Sequence, residues 1–237
     1  MKTLVITAAL LLPALLQAQT PVSDGSTGWP GDNFSLQGAL DLFSTSKDLG
    51  SFERALNDPA NHVNNLDLNN DGTVDYIRVV DHKDGDSHAI IMEDPVSGSE
   101  SQDVAVIEIE KTGATTAQAR VVGDATLYGP NVSYEKTTEK SASSTAVVVD
   151  VWGWPSVRYA YGPSYVAWSS PWYWGYYPRY YRPWRPYPVH VYYGYTNRYQ
   201  PYYRPARNTV YRQADVIYVG HRRSSPTVVQ APRPTNA

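Results

Sequence analysis

The sequence predicts an α+β fold: two short N-terminal helices packed on a small antiparallel sheet, followed by a largely irregular tail rich in aromatic residues, proline and arginine. Three observations predict it. Apolar residues recur at helical spacing between Leu36 and Leu56. Between Thr73 and Glu135, apolar runs suited to strands are separated by turn residues such as Asp84-Gly85 and Gly123-Asp124. Beyond Lys140 the composition changes abruptly, as if a second material began there.

At the start of the chain, Lys2, the apolar run from Leu4 to Leu16 and the small-residue site at Leu16-Gln17-Ala18 read as a secretory signal peptide over residues 1–18. Residues 19–32, rich in Ser, Gly, Thr and Pro, form a flexible lead-in. Ser35 suits the cap of a helix whose apolar stripe is Leu36, Ala39, Leu40 and Phe43. Asp48 or Ser51 suits the cap of a second, carrying Phe52, Ala55 and Leu56 and ended by Asn57-Asp58-Pro59. Strands are expected at 73–81, 88–93, 104–110, 117–122 and 127–135, with Glu108 and Glu110 on a solvated face. Residues 33–140 then make one domain of ordinary size.

Residues 141–237 form the low-complexity tail. Between Asp150 and Tyr203 stand 6 Trp, 15 Tyr, 8 Pro and 5 Arg. Proline every few residues removes amide donors and predicts extended chain, with Ala146 to Trp152 as the best strand candidate. Charge divides at the same place. Up to residue 140 there are 21 Asp and Glu against 9 Lys and Arg; beyond it, 11 Arg against Asp150 and Asp215. The net charges of −12 and +9 predict attraction between the two parts. The chain has no cysteine, which excludes disulfides and thiolate chemistry, and no second apolar run long enough to span a bilayer. Export to the periplasm, outer surface or extracellular space is expected.

The most chemically specific stretch runs from Leu66 to Val80. Asp67, Asn69, Asp71, Thr73 and Asp75 place oxygen at every second position, with Gly72 where the chain must turn sharply. These residues resemble an EF-hand or dockerin-type calcium loop, and still more the D-x-N-x-D-G-x-x-D calcium turns that lead directly into a strand. The resemblance implies Asp67, Asn69 and Asp71 at loop positions one, three and five, the Thr73 carbonyl at seven and Asp75 at nine. Position twelve is Arg78 where an EF-hand has a bidentate Glu, so weak Ca2+ binding is expected unless Asp81, Asp84, Asp86, Asn64 or Asn65 completes the shell. Asn70-Asp71-Gly72 equally suits an ordinary hairpin turn.

No G-x-S-x-G elbow, H-E-x-x-H helix or phosphate-cradling Gly-Lys loop is present, and the five histidines show no ligand spacing. A non-enzymatic protein is therefore expected, a carboxylate-dependent hydrolase being the least favoured alternative. The tail's Tyr, Trp and Arg suit contact with a polysaccharide or envelope surface, or self-association; a carbohydrate-binding module is the main alternative. Nucleic acid is not expected, since the tail contains no lysine. The whole arrangement, including Val151-Trp152-Gly153-Trp154-Pro155 and the aromatic tail, resembles a group of uncharacterised exported bacterial proteins, which implies export but no activity.

Overall fold

The computed structural model describes residues 26–140, 146–206 and 211–231. The expected signal peptide, the first part of the lead-in and most of the serine-rich linker lie outside the described residues. Ser35 caps α1 (Leu36–Thr45) by accepting from the Gly38 amide, and the expected stripe of Leu36, Ala39, Leu40 and Phe43 is buried. Of the two candidate caps for α2 (Leu49–Leu56), the chain uses Asp48, which accepts from the Ser51 amide and places a negative charge at the helix's positive end. Phe43 and Phe52 meet edge to face with centroids 5.4 Å apart, joining the two helices along one seam. Asn57 ends α2 and ties it to the chain ahead of the sheet, its side-chain amide exchanging hydrogen bonds with both the N–H and the C=O of Ile77.

The sheet has six antiparallel strands in sequence order: β1 (Arg78–Asp84), β2 (Ser87–Asp94), β3 (Gln102–Gly113), β4 (Thr116–Gly123), β5 (Ser133–Lys136) and β6 (Tyr203–Pro205). Three expected strands are altered, each for a visible reason. β1 begins at Arg78 and not Thr73, because the Val74 and Asp75 amides donate to the Trp184 and Leu66 carbonyls instead of to a strand. Within 127–135, Asp124 accepts from the Thr126 amide and starts a helical turn, α3 (Ala125–Tyr128), so pairing resumes only at Ser133. At 146–152 only an isolated Thr137–Val148 bridge forms, because the Asp150 side chain accepts from the Trp152 amide and turns the chain. The edge is filled by β6, which reaches the sheet from far along the tail.

That tail also contributes α4 (Pro155–Ala160), α5 (Val189–Thr196), α6 (Arg212–His221) and α7 (Pro226–Gln230). Residues 162–188, where prolines stand closest, are largely irregular as their spacing predicts. The longer helices occupy the gaps between prolines, and α4 and α7 begin on one, where a missing amide N–H removes no helical bond.

One hydrophobic core takes Phe43, Phe52, Ile77, Ile90 and Ile107 from before residue 140 and Val151, Val157, Tyr203 and Val228 from beyond it. On the opposite sheet face, Ile217 and Tyr218 of α6 cover Ala89, Ile91 and Val106. All eight residues of β2 are therefore buried, a pattern expected of a strand with both faces covered. This corrects the solvated face expected for Glu108 and Glu110. Glu108 is 0% exposed and accepts from Arg120 at 2.6 Å, while Glu110 accepts from the Ala214 amide. Among the described residues no helix is long and apolar enough to cross a membrane.

Candidate cation loop and its aromatic cover

The loop between Leu66 and Asp75 is built by its own side chains. Asp67 accepts from the Asp71 and Gly72 amides at 3.0 Å each, Asn69 accepts from the Asp71 amide at 2.8 Å, and Asp71 accepts from both the amide and the hydroxyl of Thr73. These bonds curl the chain through two residues of positive φ, Asn70 at 60° and Gly72 at 84°. Asn tolerates that region, and glycine occupies it without steric cost.

The five expected ligands do not share one environment. Asp71 is exposed, Asp67, Asn69 and Thr73 are half-buried, and Asp75 is buried. Asp75 accepts from the Leu68 amide at 2.5 Å and from the Asn69 side-chain amide at 2.9 Å. Burial pushes its carboxyl up to about 6, helped by the negative charges of Asp67 and Asp71. Among the described residues, no three His, Asp or Glu side chains converge closely enough to hold a metal ion by themselves.

Of the five residues considered for completing the shell, Asp86 is exposed in the β1–β2 turn and the other four are engaged elsewhere. Asn64 donates to the Asp75 carbonyl, and Asn65 exchanges hydrogen bonds with the backbone of Tyr187. Asp81 accepts from Tyr165 and contacts His88, and Asp84 accepts from Gln213. Arg78 pairs with Glu93 at 3.1 Å and donates to the Ser170 carbonyl, so it does not face the loop's oxygens as a ligand would.

Asp94, at the end of β2, is the residue sequence reasoning missed. It is 0% exposed, and among the described residues no hydrogen-bond donor other than Asp75 reaches its carboxylate. Burial holds its pKa well above the usual carboxylate range, and the neighbouring carboxylate of Asp75 raises it further. The only sequence signal was an acidic residue closing an apolar strand, 19 positions after Asp75, which no loop motif reaches. Two buried carboxylates facing each other carry either a shared proton or a cation between them. Their carboxylate oxygens are donors of the kind a hard cation takes.

The tail covers this loop. Tyr181 donates its hydroxyl to the Val74 carbonyl at 2.5 Å, and Tyr76 packs against the rings of Tyr177 and Tyr181. Burial, together with Asp75, Asp94 and Asp71, raises the phenol pKa values of both tail tyrosines. A second clasp centres on Glu53, 1% exposed, whose carboxylate accepts from Tyr76, the Val79 amide, Trp168 and Ser170.

His88 and Asp81 form a buried pair, whose Nε2 side is free of hydrogen bonds among the described residues. His88 Nδ1 lies 3.0–3.1 Å from the Asp81 oxygens. The ring meets Tyr161 and Tyr165 edge-on. Among the described residues no hydroxyl or thiol is bonded to Nε2, as nucleophilic catalysis requires.

Compared with family models, with curated proteins and with solved structures, the chain matches none. The class of protein is therefore defined only by its architecture: a mixed α+β chain with a six-stranded antiparallel sheet.

Proposed function

We propose that this chain is an exported, non-enzymatic calcium-binding protein of the cell envelope or surface, whose C-terminal aromatic region serves in attachment or assembly. The observation that carries the calcium reading is the pair of buried carboxylates, Asp94 and Asp75, facing each other beside the loop. A divalent cation there replaces the proton that the two buried carboxylates otherwise share, and it draws on the oxygen-rich loop through Asp67, Asn69, Asp71 and the Thr73 carbonyl. Lacking a bidentate ligand at Arg78, the site binds weakly, with a Kd of about 10⁻⁴ to 10⁻³ M, a range suited to extracellular calcium.

Support for an attachment role comes from the hairpin around Trp172 to Tyr177. Tyr173 and Tyr176 stack with centroids 5.0 Å apart yet remain 57% and 53% exposed, and Trp174 stands at the tip. Three neighbouring large rings left open to solvent form an adhesive face.

Calorimetry on the full mature chain tests the metal reading. One site is expected, abolished in Asp71→Ala and in Asp94→Asn, with a stabilisation of about 1.4 kcal/mol at a tenfold excess of calcium over Kd. Absence of both heat and thermal shift at millimolar calcium refutes it.

A further inference from the structure

A cleft of about 410 Å³, within the range of about 300–1,000 Å³ common to small-molecule sites, opens between the start of α1, β5 and α5, away from the calcium-type loop. Two tyrosines form rigid walls. The Tyr192 hydroxyl donates to the Val63 carbonyl at 2.5 Å, and that of Tyr128 donates to the Phe34 carbonyl at 2.9 Å. The Tyr128 ring is clamped between Gly31 and Gly123, where any Cβ would come within 2.5–2.6 Å of ring carbons. Tyr192, only 1% exposed, is a fixed backing behind the cleft, and Tyr128 is half-buried beside it. Tyr134 and Tyr193, both half-buried, add further aromatic surface.

The polar lining is neutral. Gln37 hydrogen-bonds to Tyr134, and Gln200 donates to Asn197 at the rim at 3.0 Å. Each amide keeps donors and acceptors to spare. None of the described lining residues is Lys, Arg or His, and the single carboxylate, Asp32, is already occupied by four donors from Ser26, Thr27 and Gly28. An anionic ligand would lose its hydration here without meeting a cation. A purely apolar ligand would strip water from the spare donors and acceptors of the Gln37 and Asn197 amides without replacing it. The ligand that satisfies both surfaces has C–H faces to lie on rings and hydroxyls at its edge to bond amides.

We propose that this cleft binds a neutral saccharide, one or two sugar units of an uncharged glycan, with the half-buried rings of Tyr134 and Tyr193 as platform and Gln37 and Asn197 as the selecting groups. The site is separate from the cation loop and works without calcium. It is therefore tested with the full mature chain in EDTA, by calorimetry and ligand-observed NMR, against cellohexaose, xylohexaose and chitohexaose, with hexagalacturonic acid as the charged control.

Saturable binding of at least one neutral oligosaccharide and none of the charged one is expected. Gln37→Ala with Asn197→Ala should weaken it about tenfold or more, equivalent to about 1.4 kcal/mol. Both side chains reach solvent, so the double variant is expected to fold, which circular dichroism verifies. Val216→Ala, exposed on α6 and outside the cleft lining, should leave affinity unchanged. Failure of all three neutral probes, equal binding of the acidic one, or binding that survives the double variant overturns the proposal. So does binding lost in Val216→Ala, which would place the sugar outside the cleft.

Discussion

The two faces of the sheet are covered by different chemistry. α1 and α2, which precede the sheet, lay Leu40, Phe43, Leu49, Phe52 and Leu56 on one face, all fully buried. The other face is covered by α6 from the tail, and there the burial is mixed: beside Ile217 and Tyr218 lie pairs in which the tail's cations and phenols meet acids of the strands. Arg204 pairs with Glu135 at 3.2 Å, Arg222 with Asp124, and Arg223 with Glu93 at 3.3 Å. Tyr211 and Tyr218 donate to Glu135 and Asp124. The first face is a mainly hydrophobic layer with one buried acid, Glu53, held by Tyr76, Trp168 and Ser170. The second depends on one specific sequence, because a buried acid without its partner is far worse than no acid. The −12 and +9 halves thus meet within one molecule.

The strongest way to break this comparison is to remove the tail. Residues 19–140 alone lose Val151, Val157, Tyr203 and Val228 from the core and leave Glu53, Asp124 and Glu135 facing vacated space. The fragment should show no cooperative thermal transition by circular dichroism. A sharp melt near that of the full chain would show that the charged face is an accessory.

Next in size is Arg204→Ala, which strands a Glu135 carboxylate that is only 2% exposed. A loss of about 3–5 kcal/mol in urea unfolding is expected, since one member of a buried pair is left uncompensated. Replacing both, Arg204→Met with Glu135→Leu, should recover most of it. A double variant no better than the single one would assign the loss to packing.

Acids on the second face contribute to the pH dependence, in the same direction as Asp75, Asp94 and Glu53, whose pKa values burial also raises. Burial pushes Asp103 and Glu108 up to about 7, so the fold holds protons that the unfolded chain releases near pH 4. Their contribution is fully favourable below about pH 4 and is lost as pH rises toward 7, at up to about 1.4 kcal/mol per pH unit for each group. His62 and His82, whose pKa values burial lowers, act in the opposite direction below about pH 6.5. Asp103→Asn keeps an oxygen for the Arg223 amide that Asp103 now accepts. In EDTA it should flatten the stability profile between pH 4 and 7. Superimposable profiles for parent and variant would contradict this account.

The smallest effect concerns the loop. Gly72→Ala meets no neighbouring atom, so its cost comes only from φ near +84°, about 1 kcal/mol. A neutral substitution would mean that the turn relaxes freely, and that the loop's own hydrogen bonds do little to fix it.

Local signals were legible wherever a residue acts on its own neighbours. Ser35 and Asp48 cap the helices expected of them, Gly85 turns the β1–β2 hairpin at φ 57°, and prolines keep 162–188 irregular. The side chains of Asp67, Asn69 and Asp71 shape the loop they spell out. Tertiary structure alone decided what lies across space. Nothing near Glu108 in the chain announces that Arg120 will meet it or that α6 will cover it, so alternation read as a solvated face. Asp94 joins Asp75 because β2 happens to end beside the loop. A composition of Tyr, Pro and Arg looked like a tail, yet it supplies β6, a helix and the cations for a sheet face. Short-range hydrogen bonding depends on neighbours a few residues away and is written in order along the chain. The desolvation of a charge depends on everything packed around it, and that is fixed only once the chain has folded.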